Sequence, residues 1–360
     1  MHIMLVKEKL IPILLLVVLN SLSLMAGNEM YVLVSKDIMD NAPVPGKPKA
    51  NFSFICSNLE EAHNYIIDNM CGPNDCEIEG DITIYIRKGT YKQNHILWKA
   101  TSPNHRLKIK SFENEEVIFD GKAPDGTLAQ IFIEIANRKG RTNVWIEGLI
   151  VQNYANGIWF GNTIRDDNGN YFQGIQNSHN VIKNNVFRNI GNKHSNSYQE
   201  SYSALGINNS YDNKITGNTF CHNENDKLNE RKYRTNSLMH SIYLAHYSSR
   251  NIIKDNYFSN CSGDAIRLRN GCENNIIDGN YILLSGTLGF ITEWYRTRKK
   301  YPNSTEEPSS GTVLKNNICA YPYPFSSEKT ITIYRSNVNN GELNDRYIDG
   351  GNNFVIGGPF

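Results

Sequence analysis

The chain reads as an all-β solenoid, and three features carry that reading. A phrase of Asn, apolar residues and a second Asn five positions on recurs at Asn180–Asn185, Asn213–Asn218, Asn251–Asn256 and Asn275–Asn280, with weaker copies at Asn143–Gly148 and Thr312–Asn317. Successive copies stand 37, 33, 38, 24 and 37 residues apart. That spacing suits a coil of about 24 residues that accepts insertions. Beyond residue 80 the apolar runs are short and strand-like, and helical periodicity occurs only before them.

Taken in order, Lys7 and Lys9, the apolar run Leu10–Leu19 and the small residues of Ser21–Gly27 have the layout of an export signal. Residues 1–27 are therefore expected to be a signal peptide and 28–360 one elongated domain. The apolar run is shorter than the roughly 20 residues a span requires, so no stable membrane insertion is expected after cleavage. The mature protein is then secreted or periplasmic. With a formal charge of +1, the composition gives no global reason to expect nucleic acid. A monomer is expected.

Tyr31–Val34 reads as a strand. Ser57-Asn-Leu-Glu60 has the form of a capping box, and Leu59, Ala62, Ile66 and Tyr65 follow with helical spacing. Such a helix would cover the open end of the solenoid, where strand edges are otherwise unpaired. Strands are expected at Ile82–Ile86, Leu107–Lys110, Val117–Phe119 and Ile131–Ile135. In the later coils Phe187, Phe220, Phe258 and Ile282 should stack inside, and Asn185, Asn218, Asn256, Asn280 and Asn317 should form an amide ladder at a turn. Seven cysteines in an exported chain permit disulfides. Cys71 and Cys76 could close a small loop, whereas Cys319 stands at a core position of the repeat. No Cys/His spacing suggests a structural zinc.

Gly80–Tyr91, followed by Lys108–Ser111 and Val117–Gly121, is similar to the entry coils of the pectin-lyase-like superfamily. The resemblance covers roughly Asp81 to Asn353. It implies a single-stranded right-handed parallel β-helix with an N-terminal capping helix. The superfamily includes lyases, hydrolases, epimerases and binding proteins, so the activity has to be argued from a site.

Each coil contains a strand introduced by a Gly or small residue: 156–160, 204–208, 240–244 and 264–269. If Ile242, Leu244, Ile266 and Leu268 point inward, then Tyr243, Arg267 and Arg269 point outward, together with Trp159 and Asn208. Insertions at 162–179, 191–203, 222–239 and 295–311 flank this strip and would wall it into a groove. Lys227, Arg231, Lys232 and Arg234 lie in one wall, and Arg296, Arg298, Lys299 and Lys300 in another, beside Trp294 and Tyr295. A cationic, aromatic groove suits an acidic polysaccharide.

A uronate polymer can be cleaved by removing the proton beside its carboxyl group. Arg267 or Arg269 suits neutralisation of the developing enolate. Tyr243, whose phenolate nearby arginines would stabilise, or His246 could be the base. His240, Trp159, Glu293 and Trp294 complete the expected substrate-binding set. The competing expectation for His240 and His246 is that they satisfy backbone groups at turns.

The segment His240–Ile282 resembles the repeats of periplasmic alginate epimerases, but Gly206-Ile-Asn-Asn-Ser210 stands where those enzymes carry Asp-Pro-His. Cys261–Arg269 resembles the Arg-bearing strand of chondroitinase B-like and alginate lyases, whose partner Lys is absent from Leu244-Ala-His-Tyr-Ser248. A polysaccharide lyase is thus the first expectation. A glycoside hydrolase using Asp264 and Glu293, an epimerase and a non-catalytic sugar-binding solenoid remain as alternatives. Calcium held by Asp264 and Glu293 is the one cofactor left open; no phosphate-binding loop points to a nucleotide.

Overall fold

The computed structural model describes residues 29–356 apart from 38, 41, 48, 72–75, 137–139, 162–175, 227–237, 287–288, 325–331 and 337–346. The expected export signal, Lys227, Arg231, Lys232 and Arg234 lie outside the described residues.

Among the described residues, parallel sheets of eleven, nine and eight strands run the length of the molecule. A representative coil places Val181–Lys183 in the first sheet, Val186–Arg188 in the second and Ser203–Asn208 in the third, before Lys214–Thr216 re-enters the first. Parallel crossovers of this kind close right-handed. The fold is a right-handed parallel β-helix.

Its interior is built from aligned columns. Ile146, Ile182, Ile215, Ile253 and Ile277 pair in register along the first sheet. Along the second, Phe187, Phe220 and Phe258 stack with centroids 5.0 Å apart at each step, and Ile282 and Cys319 continue the column. All of these side chains are buried.

The Asn ladder stands at the turn between the first and second sheets. Each Asn oxygen accepts from the backbone N–H and the side-chain amide of the Asn one coil earlier: Asn218 from Asn185 at 3.0 and 3.1 Å, Asn256 from Asn218 at 2.9 and 2.9 Å. The residue before each ladder Asn has positive φ: Asn184, Gly217, Asp255, Gly279 and Asn316. Only residues that tolerate the left-handed region fit there, which accounts for the Asn, Gly and Asp at that place in the repeat. The first Asn of the phrase forms a second ladder, Asn180–Asn213–Asn251–Asn275, at the turn from the third sheet into the first.

The helix spans Leu59–Met70, and its cap lies one residue later than the sequence suggested. The Asn58 side chain accepts from Glu61 N at 2.9 Å, while the Glu61 carboxylate receives Ser57 N at 2.9 Å. Both Ser57 and Asn58 are competent caps, and Asn58 wins because Glu61 can then reach back. Leu59, Ala62 and Ile66 join the main core. His63 lies 4.6 Å from the Trp98 ring and accepts Lys99 N at 3.0 Å. The helix thereby docks on the N-terminal coils. All seven cysteines are thiols, so Cys71 and Cys76 do not close a loop.

Candidate functional site

The outward face of the third sheet carries two rows of side chains. Register aligns Glu134, Trp159, Gly206, Tyr243, Arg267 and Thr292 in one, and Asn208, Ala245, Arg269 and Trp294 in the next. Trp159, Tyr243, Arg267, Arg269 and Trp294 are therefore brought onto one surface. Gly206 makes room within it. A Cβ there would stand 2.9 Å from Trp159 Nε1, so the indole lies across the strand that separates it from Tyr243.

Tyr243 sits between the arginines. It pairs in register with Arg267, and its hydroxyl accepts from Arg269 Nη1 at 3.3 Å. Arg269 also donates to Glu306 through Nε at 3.3 Å and Nη2 at 2.6 Å, and lies 4.5 Å from the Trp294 ring centroid. Burial works against its charge, but Tyr243 and Glu306 outweigh burial and raise its pKa, so the guanidinium is permanently charged. Arg267 donates through Nε at 3.1 Å and Nη2 at 2.6 Å, both to Asp264 Oδ2. A guanidinium has five N–H donors. Arg267 shows two committed and Arg269 three, and the Nη1 group of Arg267 has no partner among the described residues.

Beneath this surface Asp264 is fully buried and also accepts from Thr292 Oγ1 at 2.6 Å. His240 Nδ1 is 3.8 Å from the same carboxylate oxygen. Burial, reinforced by Arg267, pushes the His240 pKa down to about 3 against the opposing pull of Asp264. The contact is therefore one of a neutral imidazole, not an ion pair, at neutral pH. His240 packs under Tyr243 with ring centroids 5.5 Å apart.

Two expected site residues stand elsewhere. Glu293 pairs in register with inward-facing Leu268 and is 1% exposed. Its carboxylate accepts from Ser309 N and, at 3.2 Å, from Tyr334 OH, so it is a core residue rather than a groove residue. His246 is at the corner after the strand, with φ of 51°, between Asn209 and Asn270 of the neighbouring coils. Its Nδ1 meets Asn270 Nδ2 at 3.1 Å and it is buried, which is the turn role. Asp264 and Glu293 consequently do not face one another across a groove, and no cluster of metal-ligating groups occurs among the described residues.

Three residues were not picked out from the sequence. Glu306, with its side chain 1% exposed, pins the 295–311 insertion against the strip, where it also accepts Arg296 N at 2.9 Å. Its position inside a basic loop gave no periodic signal. Thr292 was findable by strict alternation from Ile291. Tyr202, in the 191–203 insertion, is exposed at the groove side, where its carbonyl accepts His240 N at 2.9 Å. Burial and then Glu200 push its pKa up to about 12, so it remains a phenol.

No protein-family model matches the chain, and no curated protein does. Solved structures do. The alginate lyase from Paenibacillus sp. str. FPU-7 has a TM-score of 0.51 at 13% identity, covering 83% of this chain and 94% of that one. Pectate lyase Pel9A follows with 0.45 at 12% identity, covering 91% and 80%. The A-module of Azotobacter vinelandii mannuronan C-5 epimerase AlgE4 scores 0.27 at 10%, covering 91% and 98%. What is shared is the parallel β-helix. Within that fold the site rests on this chain's own residues.

Proposed function

We propose that the protein is an exported polysaccharide lyase that cleaves a uronate-containing polymer by β-elimination. The observation that carries this reading is the Tyr243 hydroxyl, bonded to Arg269 Nη1 at 3.3 Å and flanked in register by an arginine with uncommitted donors. Arg267, through the Nη1 group that has no partner among the described residues, receives the uronate carboxylate and stabilises the enolate that forms. Tyr243, its hydroxyl held by Arg269 Nη1, acts as the base and removes the proton from C5. The C–H electrons form the C4–C5 double bond, the C4–O bond breaks, and the departing glycosidic oxygen takes the proton carried by Tyr243. Asp264 and Glu306 orient the two guanidinium groups. Trp159 and Trp294 offer flat faces to the sugar rings.

The hydrolase alternative loses its carboxylate pair, because Asp264 is bound beneath the strip and Glu293 lies in the core. The secreted or periplasmic location rests on the export layout of residues 1–27. One fold relative acts on alginate, so alginate heads the substrate panel, with pectate and chondroitin after it. The test is the absorbance of unsaturated uronate at the ultraviolet edge. A rise is expected with one polymer, falling by about 10²–10⁴-fold in Tyr243→Phe and in Arg267→Ala. Reducing ends released without that absorbance, or full activity in Tyr243→Phe, would overturn the reading.

A further inference from the structure

The outer face of the first sheet holds a second cleft, on a different side of the solenoid from Tyr243. Its volume is about 380 Å³. Four cations line it, Arg106, Arg141, Lys183 and Lys214, against the single carboxylate of Asp212. That carboxylate is already held by Arg250 at 2.8 and 2.9 Å, and Lys183 is held by Glu147 at 3.2 Å. Arg106, Arg141 and Lys214 have no ion-pair partner among the described residues, and each is exposed.

The floor is aromatic. Lys108, Trp145, Val181 and Lys214 are in-register neighbours on four successive strands, a row of about 14 Å at the usual strand spacing. Arg106 and Lys108 hover over the Trp145 ring at 5.7 and 5.3 Å from its centroid. The Trp145 indole nitrogen is buried and has no acceptor among the described residues.

We infer that this cleft is a second binding site, for a short stretch of an acidic saccharide chain. Unpaired cations around an indole suit carboxylates carried on flat rings. The amide of Asn143 and the hydroxyl of Thr216 in the lining suit hydroxyl groups between those charges. Burial, followed by the nearby Arg141, lowers the His179 pKa, so its ring is a neutral hydrogen-bonding group in the same wall. Binding here requires no turnover and stands whether or not the Tyr243 groove is catalytic.

The test is titration calorimetry with saturated alginate and polygalacturonate oligosaccharides on the full chain, comparing parent, Arg141→Glu/Lys214→Glu and Tyr243→Phe/Arg267→Ala. Both altered cleft residues are exposed, so thermal melting of that variant should match the parent. The expected result is a binding event that weakens at least about tenfold in Arg141→Glu/Lys214→Glu, weakens with added salt, and persists in Tyr243→Phe/Arg267→Ala. Uronate binding that Arg141→Glu/Lys214→Glu leaves unchanged would overturn the inference, as would no uronate binding at all. So would a site that prefers a single-stranded oligonucleotide of equal charge. Absence of elimination by the parent on every polymer, with the cleft event intact, would instead count against the lyase reading alone.

Discussion

Replacing Glu306 by Ala removes the anion that holds Arg269. The pair is largely dry, with side-chain exposures of 19% for Arg269 and 1% for Glu306. Removing one partner of a buried ion pair costs about 3–5 kcal/mol, because the other charge is left uncompensated. Arg269 keeps some access to water, its bond to Tyr243 and its contact with Trp294, so about 3 kcal/mol is expected for Glu306→Ala. Arg269→Ala takes its closest cation from a buried carboxylate that still accepts Arg296 N at 2.9 Å and lies 3.8 Å from Arg296 Nε, and a similar loss follows. The double variant leaves neither charge stranded. It should cost far less than the sum, with a coupling energy of about 2–3 kcal/mol. Equilibrium urea unfolding of the four proteins measures this directly. Losses that add to within about 0.5 kcal/mol would refute the view that Glu306 positions Arg269.

Two further outcomes concern the scaffold. Asn218→Ala deprives Asn185 N of its acceptor and Ile182 O of its amide donor, and breaks the link to Asn256; a loss of about 3–5 kcal/mol, seen as a drop of roughly 5–10 °C in Tm, is expected, and an unchanged Tm would show that the ladder bears no load. Stability should also fall below neutral pH. Burial, with Lys99 adding to it, holds His63 down to about 4, and burial holds His240 down to about 3. Between those values and the ordinary 6.5 the unfolded chain binds protons that the folded chain refuses, so stability is full above about pH 6.5 and drains as the pH falls. Each histidine contributes about 2 kcal/mol of loss by pH 5. His63→Gln, which can still accept Lys99 N, should remove about half of that dependence in urea titrations at pH 7.5 and 5; a midpoint insensitive to pH would refute it.

The fold was legible because a solenoid repeats its demands. Each coil needs a left-handed residue, then an amide that bonds its neighbours, then a large apolar side chain, and those needs recur at one place in the period. The site was half legible for the same reason. Tyr243, Arg267, Trp159 and Trp294 follow from strand alternation, whereas Glu293 was placed outside although Ile291 fixes it as inward. His246 carried the chemistry of a base, yet it occupies a corner that Asn fills in the coils on either side. Glu306 could not be found by period at all. It lies in an insertion outside the repeat, and only the folded loop brings it to Arg269.

The charges of the strip bear on how a polyanion would reach it. Arg267 and Arg269 are offset by Asp264 and Glu306, so the cluster is close to neutral and exerts little pull at a distance. Among the described residues, Arg296, Arg298, Lys299 and Lys300 are exposed on the wall and would supply the attraction. Such surface charges act over about a Debye length, roughly 8 Å at physiological ionic strength, and salt screens them. The short-range job is different. The Arg267 guanidinium and the bonded hydroxyl of Tyr243 are aimed through buried Asp264 and Glu306, carboxylates that salt barely reaches. Capture of a polyanion would thus be salt-sensitive while its orientation at the strip would not, a separation that follows from placing exposed cations on a loop and the half-buried, tightly paired ones on the sheet.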